Sequence, residues 1–293
     1  MEQDTVQAIS ESVTNGTQLS ERREDGYFDL LAYIVSNAVA GEIMAIENYS
    51  EMVQLMPTTE AKIETVNQAK EECKHILLLS KLGRNLDFTV EKRIIEPQWN
   101  NIRKHFSAAV KKENLAACLI TQDLMTETMA IMLYSTLAKS DDTDPQTAAM
   151  ASNILADELE HLDIGVRRIQ DMISNDEESV HDALVWAHHR VMPELFGMIS
   201  TSCHFLCDEL EVDCGSLALD NIRTDIDTLR VQALDRYIET LDMVGFDASV
   251  TNPLIASMTA YEGMSRMSVG FTNGEGGACC SPQDMANSKG KCC

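Results

Sequence analysis

A Glu-x-x-His motif that occurs twice constrains the fold of this chain more than any other sequence feature. The two copies are Glu72-Cys73-Lys74-His75 and Glu158-Leu159-Glu160-His161. Each copy lies in a long stretch without proline, and such stretches predict helices. Residues three apart are neighbours on one face of a helix. Each motif can therefore present a carboxylate and an imidazole together, which is a donor pair that suits a transition-metal ion.

A glutamate in an apolar helical stretch precedes each motif. Glu42 stands 30 residues before Glu72, and Glu127 stands 31 residues before Glu158, which is about the length of one helix-turn-helix step. One Glu from each of two helices and one Glu-x-x-His from each of two others make up the ligand set of ferritin-like di-iron carboxylate bundles. The order predicts an all-α, ferritin-like helical bundle. The predicted metal ligands are Glu42, Glu72, His75, Glu127, Glu158 and His161.

The charges of this ligand set indicate which metal ions it would hold. Four carboxylates and two imidazoles nearly balance two divalent iron ions and leave coordination positions open for a substrate. The same donors also accept manganese. The predicted cofactor is therefore a pair of iron ions, with manganese as an alternative.

The composition fits long helices and argues against several classes of partner. Proline is scarce, with 6 residues among 293, and the formal net charge is −24. A strongly acidic chain lacks the basic surface that nucleic acids and anionic membranes require. No uninterrupted apolar run reaches transmembrane length and no basic-apolar leader is evident, so we expect neither a membrane span nor a signal peptide. The odd total of nine cysteines, several of them inside helical patterns, favours a reduced, cytoplasmic protein.

The chain divides into three predicted segments. Residues 1–25 are polar and predicted to be disordered, residues 26–263 form the di-iron domain, and residues 264–293 form a flexible Cys-rich tail. Pro57 should end the first helix after Met56, and Thr58 or Thr59 should cap the second. The second helix is expected to end at Leu82-Gly83, with the glycine in a left-handed cap.

Acidic residues beside the motifs have separate predicted roles. Asp157 lies four residues before His161 on the same helical face, so its carboxylate could ligate a metal ion, but the preferred interpretation is that it orients a ligand histidine. Glu71 is rotated about 100° from Glu72. It should therefore be solvated or contact a metal ligand rather than a metal.

Other polar residues leave alternatives open. Gln122 and Asp123 interrupt an apolar run, so they lie either beside the metal site or at an exposed helix edge. Cys73 is expected to point away from the metals. The spacing of Cys203-His204, Cys207 and Cys214 resembles a zinc site only loosely, and a structural metal there is the weaker interpretation.

Five segments together carry a family resemblance. They are Gly41–Tyr49, Glu72–His75, Gly83–Leu86, Glu127 with Ala130 and Tyr134, and Asp157–Leu162. Their sequences and spacing resemble the aldehyde-deformylating oxygenases of cyanobacteria, also called aldehyde decarbonylases, over about Tyr27 to Gly263. The resemblance implies a ferritin-like bundle with two irons. Tyr134 lies seven residues past Glu127, two turns along the same face, and is the catalytic candidate, either in the pocket or beside the ligands.

The resemblance also implies a reaction. It implies conversion of a long-chain fatty aldehyde to an alkane or alkene one carbon shorter plus formate, with dioxygen and an electron donor such as ferredoxin with its reductase. An apolar substrate needs an apolar channel that ends at the irons. Two other functions stay open. One is a different di-iron oxidase on the same scaffold, such as a hydroxylase or N-oxygenase, and the other is a non-catalytic iron store or peroxide scavenger.

Some positions depart from the family. Leu82 stands where the family has Cys, and Gln98 and Trp99 stand where it has two phenylalanines. An insertion of about a dozen residues lies around Ser200 to Leu219. These changes spare the predicted ligands and leave the exact substrate and its chain length open.

Two features suggest further partners. Arg103, Lys104, Lys111 and Lys112 form a basic group in an acidic chain, which is either a docking site for an acidic electron donor or a solvated helix face. The tail holds two cysteine pairs, Cys279-Cys280 and Cys292-Cys293. Four thiols on one flexible segment either bind a soft metal ion or remain redox-sensitive and otherwise idle.

Overall fold

The structure, a computed structural model, describes residues 27–91, 95–140, 143–209 and 220–268, with side-chain environments through residue 199 and again for residues 230–258. These residues form helices and no strand, which confirms the predicted all-α fold. The predicted disorder of residues 1–25, the loose zinc pattern at Cys203–Cys214 and the thiol pairs of the tail lie outside the described residues or side chains.

Helices make up most of the described part of the chain. They are α1 (Tyr27–Met52), α2 (Thr59–Asn85), α3 (Glu96–Lys111), α4 (Leu115–Leu119), α5 (Glu127–Lys139), α6 (Pro145–Asn175), α7 (Glu177–Glu209), α8 (Asp220–Val244) and α9 (Ala248–Ser268). Helix α1 packs mainly on α2, α5 packs mainly on α6, and α2 also packs on α6. These four helices carry the predicted metal ligands, while α3, α7 and α8 pack around them and α9 packs on α7.

Side-chain caps fix where three of the helices begin. The Ala61 amide donates to Thr58 Oγ1 at 3.1 Å, so Thr58 is the cap of α2. Asn114 caps α4 and Asp144 caps α6 in the same way. Helix α1 ends at Met52 and continues as a 3-10 turn over Val53–Leu55, so it stops short of the end at Met56 that Pro57 predicted.

The prediction that Gly83 ends α2 is wrong, because α2 continues to Asn85. Asp87 takes the left-handed conformation with φ 59°, and the Phe88 amide donates to the Gly83 carbonyl at 2.9 Å. This is the hydrogen bond of a Schellman cap. A Cβ at Gly83 would lie 2.8 Å from Val90 Cγ2 and 3.0 Å from the Phe88 carbonyl oxygen. Glycine is needed there because the chain after the helix passes close to it.

A π-helical segment, Ile120–Thr126, leads into α5 directly before Glu127. It turns Gln122 and Asp123 fully into the core, so the interpretation of these residues as an exposed helix edge is wrong. Asp123 pairs there with Arg168 at 3.3 Å. Gly165 of α6 faces the segment, and a Cβ at Gly165 would lie 2.4 Å from Asp123 Cβ. The absence of a side chain at Gly165 therefore lets α6 approach the π segment.

The Gly165→Ala variant is expected to lower the free energy of unfolding of the metal-free protein by about 1–3 kcal/mol, because its methyl group overlaps Asp123 in a packed core. Gly197→Ala is the matched control, since nothing lies within 4 Å of a Cβ there. This control should be neutral or stabilising by up to about 1 kcal/mol, the usual gain for Ala over Gly inside a helix. Urea unfolding followed by circular dichroism measures both. Equal stability of the two variants would refute the close approach of α6 to the π segment.

One helical stretch, Tyr27–Leu55, is long and apolar enough to cross a membrane by length and composition. The sequence prediction concerned uninterrupted apolar runs, whereas this stretch reaches the length by its mean hydropathy although polar residues interrupt it. Half of its most apolar window is buried inside the bundle, and it carries the buried Glu42. The core helix of a bundle passes the same test because its inward face is apolar.

Candidate metal centre

The six side chains predicted as ligands lie together in the bundle core, each at most 6% exposed: Glu42, Glu72, His75, Glu127, Glu158 and His161. They form two overlapping groups, and within each group the donor atoms lie within 4.8 Å of one another. Glu72 and Glu158 belong to both groups. Each group also has one further glutamate and one histidine: Glu42 and His75 in the first, Glu127 and His161 in the second. This geometry suits two metal ions that share two bridging carboxylates.

Buried polar atoms without partners show that the centre fits a bound cation. Glu72 Oε1, Glu158 Oε2 and His161 Nδ1 form no hydrogen bond with a described residue. His161 Nδ1 lies 3.3 Å from Glu72 Oε1 and 3.4 Å from Glu158 Oε2, close enough for charge attraction but without hydrogen-bond geometry. A buried atom left in this condition costs roughly 1–3 kcal/mol. Metal ions among these donors would satisfy them, and the mixed oxygen and nitrogen set suits iron or manganese.

Without a cation, the buried groups of the centre hold extra protons. Burial and the negative charge of Glu42 raise the pKa of Glu72 to about 8. Burial and the charge of Glu72 likewise raise the pKa of Glu158 to about 7. Burial alone would lower the pKa of His75, but its hydrogen bonds with Glu42 and Glu72 raise that pKa to about 11. Metal ions would take the place of these protons.

These shifts predict that the metal-free protein loses stability as the pH rises. A carboxyl whose pKa is higher in the folded than in the unfolded chain stabilises the fold while it is protonated. That contribution is complete below the ordinary carboxyl pKa and is lost as the pH passes about 7 for Glu158 and about 8 for Glu72. His75 acts in the same direction, since the raised pKa of its imidazole also favours folding at lower pH.

The measurement is the thermal midpoint of metal-free and metal-loaded protein across neutral pH. The metal-free midpoint should fall as the pH rises through 7 and 8, whereas the metal-loaded midpoint should change less. The Glu72→Gln variant, neutral at every pH, should show a smaller fall in the metal-free form. A metal-free midpoint that stays level or rises over this range would contradict the burial of protonated carboxyl groups.

The Nε2 atom of each candidate histidine, which faces away from the centre, contacts a carboxylate on the helix that carries the other Glu-x-x-His motif. His75 Nε2 lies 3.2 Å from Asp157 Oδ2, and His161 Nε2 lies 2.9 Å from Glu71 Oε2. The geometry bears out the prediction that Asp157 orients a candidate ligand histidine, and that histidine is His75 on α2 rather than His161 on its own helix. Glu71 contacts a histidine, which was one of its two predicted roles. Such contacts fix the ring orientation of a metal-bound histidine.

Two tyrosines hold the two non-bridging glutamates in a symmetric arrangement. Tyr134, seven residues past Glu127, donates a hydrogen bond to Glu42 Oε1. Tyr49, seven residues past Glu42, donates to Glu127 Oε1 at 2.8 Å. Sequence reasoning selected Tyr134 and missed Tyr49, although the equal spacing was a usable signal.

Side-chain amides add a further contact to Glu127. Gln122 Nε2 donates to Glu127 Oε1 at 2.9 Å, and Asn48 Nδ2 donates to Gln122 Oε1 at 2.7 Å. The interpretation of Gln122 as a residue beside the metal site is therefore the one that the geometry supports. The π segment makes this contact possible, since it turns Gln122 toward Glu127.

An apolar cavity ends at this centre. Its volume is about 200 Å³, and its walls come mainly from α1, α3, α5, α7 and the π segment, with Glu72 of α2 and Glu158 of α6 also in the lining. Ala38, Gly41 and Leu133 are among the apolar residues that line it, and Glu42 and Tyr134 are among the polar ones. Trp99, which stands where the resembling family has a phenylalanine, also lines the cavity. Its ring packs against Gly41, where a Cβ would lie 3.0 Å from Trp99 Cζ2.

The remaining predicted residues lie away from the centre. Cys73 is exposed, as expected of a thiol that points away from the metals. Arg103 Nε lies 3.1 Å from Glu47 Oε2, and Arg103 Nη1 lies 3.1 Å from Glu51 Oε2. Its charge is therefore compensated, which weakens the predicted basic group of which it was part.

Comparisons with known proteins give one family and two similar structures. Residues 24–252 match the family described as long-chain fatty aldehyde decarbonylase. The fold is similar to that of a protein described as Protein 19 with aldehyde deformylating oxidase activity from Synechococcus, with a TM-score of 0.62 and 19% identity over 77% of this chain and 94% of that chain. It is also similar to a mutant R2-like ligand-binding oxidase with an aerobically reconstituted Mn/Fe cofactor, with a TM-score of 0.56 and 15% identity over 74% of this chain and 81% of that chain. Together with the buried carboxylate-histidine centre, these matches confirm the predicted ferritin-like bundle.

Proposed function

The chain belongs to the long-chain fatty aldehyde decarbonylase family, and from this we propose that it splits a long-chain fatty aldehyde into formate and a hydrocarbon one carbon shorter. Dioxygen and electrons from an external donor complete the reaction. The observation that carries the proposal is an apolar cavity that ends on a buried centre of four carboxylates and two imidazoles. A cavity of this kind suits a substrate with a long alkyl chain and one polar end.

The proposed metal ligands are the six converging side chains. Glu72 and Glu158 would serve both iron ions, because each belongs to both donor groups, and manganese would fit the same donors, in keeping with the Mn/Fe cofactor of the R2-like oxidase. Metal ions bound there would reduce dioxygen and, as Lewis acids, would polarise the aldehyde carbonyl.

The protein itself positions the substrate and the ligands. The apolar walls take up the alkyl chain and exclude water, and each buried CH₂ group contributes about 0.8 kcal/mol to binding. The polar end of the cavity lies at Glu42 and Tyr134, so the carbonyl would be directed toward the metal centre.

We assign Tyr134 a double role as the catalytic candidate. It lines the cavity, where it would contact the aldehyde, and it donates a hydrogen bond to Glu42. Burial and the charge of Glu42 raise the pKa of the Tyr134 hydroxyl well above its ordinary value. The hydroxyl therefore keeps its proton and remains a hydrogen-bond donor at neutral pH.

The proposal places the enzyme in a reducing cytoplasm, where its thiols stay free. Cys73 is an exposed free cysteine and Cys118 is a buried one. Free thiols are usual in that compartment.

The proposal is tested by loading the full chain with iron, reducing it chemically, and adding a long-chain aldehyde and oxygen. Equal amounts of formate and a hydrocarbon one carbon shorter are expected, and omission of iron or oxygen should abolish both products. Oxygen uptake with a hydroxylated product would instead identify a different di-iron oxidase. Iron uptake far beyond two ions per chain, without either product, would identify a store.

A further inference from the structure

One face of α2 is basic and apolar at the same time. Ile63, Lys70, Lys74, Leu77 and Lys81 follow one another at intervals of seven, four, three and four residues, so they share one stripe along the helix. We call this set the α2 stripe. All five residues are exposed, and Ile63 and Leu77 expose 57% and 68% of their surface.

The charge of the α2 stripe contrasts with that of the whole chain. The formal net charge of the protein is −24, yet the three charged members of the stripe are all lysines. Among the described residues, Lys74 is the only one of these three whose ammonium group is held in an ion pair. The basic group on α3 differs, since Arg103 is bound to Glu47 and Glu51. The α2 stripe therefore offers uncompensated positive charge next to exposed apolar side chains.

A short hydrogen-bonded route joins the α2 stripe to the candidate metal centre. Lys74 Nζ donates to Asp157 Oδ2 at 2.6 Å, and Asp157 Oδ2 lies 3.2 Å from His75 Nε2. His75 Nδ1, the other ring nitrogen, faces Glu72 Oε2 at 3.1 Å. The exposed fraction of the side chain falls along this route from 56% for Lys74 to 22% for Asp157 and 0% for His75. Two hydrogen bonds thus separate the surface from a candidate metal ligand.

We propose that the α2 stripe is the docking surface for the external electron donor, a small acidic iron–sulfur protein. Lys70 and Lys81 would meet its carboxylates, and Ile63 and Leu77 would pack on its apolar surface. In each encounter the reduced carrier would give up one electron to metal ions held at the centre, and Asp157 and His75 would lie on the route by which the electron enters. The inference rests on the proposed function, which requires such a donor.

Lysines with apolar side chains would also fit an anionic membrane, but the position of the cavity disfavours that partner. A membrane that supplied the aldehyde would have to meet the cavity, whose walls reach α2 only at Glu72. Glu72 lies two residues past Lys70, about 200° around the helix. The stripe and the cavity are therefore on opposite sides of α2. An electron carrier needs only the route through His75, and the acidic remainder of the surface would repel it from other orientations.

The test compares two double variants with the same change of charge in the iron-loaded full chain. Lys70→Glu with Lys81→Glu alters the α2 stripe, and Lys111→Glu with Lys112→Glu alters exposed lysines at the end of α3. The probe is a plant-type 2Fe–2S ferredoxin at low ionic strength. Its Kd is measured by calorimetry with oxidised protein, and its rate of electron transfer by anaerobic stopped flow.

The stripe variant should bind the probe at least about tenfold more weakly and accept electrons at least about tenfold more slowly, and the α3 variant should change by less than about twofold. High salt should remove most of the difference, because it screens exposed charges. Reduction by dithionite with a viologen mediator should be the same in all three proteins. Leu77→Ser should weaken binding in a way that salt does not remove, because that contact is apolar.

Equal losses in the two double variants, or no loss in either, would overturn the docking assignment. A third result would also overturn it: the stripe variant no longer binds phosphatidylglycerol vesicles but is reduced by the ferredoxin at an unchanged rate. That result would identify the α2 stripe as a membrane-binding surface. A different result would contradict the proposed function. If the chemically reduced protein yields neither formate nor hydrocarbon while the ferredoxin effects are as expected, the docking assignment is supported and the proposed reaction is refuted.

Discussion

Replacing Glu158 by alanine is expected to remove both metal ions and all turnover while the helical content survives. Glu158 belongs to both donor groups, so its loss deprives each ion of a ligand. The His161→Ala variant should likewise abolish turnover and lower bound metal. The fold should persist because the bundle buries two large clusters of apolar side chains, which extend well beyond the centre.

Metal analysis, circular dichroism and product assays measure these effects together. Glu42→Ala is an informative comparison, since Glu42 belongs to one group only and its loss should spare part of the metal. Glu160→Ala is the matched control, because Glu160 is exposed on the same helix. A Glu158→Ala protein with full metal and full turnover would show that the ligand assignment is wrong.

Filling the cavity with Ala38→Phe is expected to lower turnover of a long-chain aldehyde by at least about tenfold, because displacing a substrate by about an ångström has effects of that size or more. Ala38 lies one helical turn before Glu42 and lines the cavity. A phenyl ring there would take up space that the alkyl chain needs. Bound metal should not change, since Ala38 is not a ligand, and short aldehydes should lose less activity than long ones.

The control is Ala108→Phe, which adds the same ring at an exposed position on α3. Rates for a series of aldehydes of increasing length, with metal content measured in parallel, give the comparison. If Ala38→Phe accepted long and short aldehydes as well as the unchanged protein, the cavity would not be the substrate site.

The sequence was sufficient to predict the residues that converge, because helical periodicity links residues along one element. Glu72 with His75, and Glu158 with His161, must share a face on any helix. A thirty-residue separation returns the chain to the same level of a bundle. These rules are enough to identify all six candidate ligands from the sequence alone.

Contacts between helices were less predictable, because they depend on how each helix is rotated against its neighbour. Asp157 shares a helical face with His161, yet the histidine that it contacts is His75 on α2. Arg103 was counted as free positive charge, yet it bonds Glu47 and Glu51 of α1. Neither contact can be predicted from one helix considered alone.

Local irregularities of the helices are also difficult to predict from the sequence. A π turn inserts one residue without changing the apolar character of its segment, so the sequence around Gln122 left two orientations open. Gly83 has the residue type of a helix cap, but its role is close packing against Phe88 and Val90. The presence of a glycine does not by itself show whether the position requires a left-handed backbone conformation or only lacks space for a side chain.

The most direct test of the metal centre is anomalous diffraction from crystals of the iron-loaded full chain, recorded on both sides of the iron absorption edge. Two peaks are expected in the bundle core. One should lie at Glu42 and His75, the other at Glu127 and His161, with Glu72 and Glu158 between them. A single peak, or iron bound away from these six side chains, would contradict the assignment.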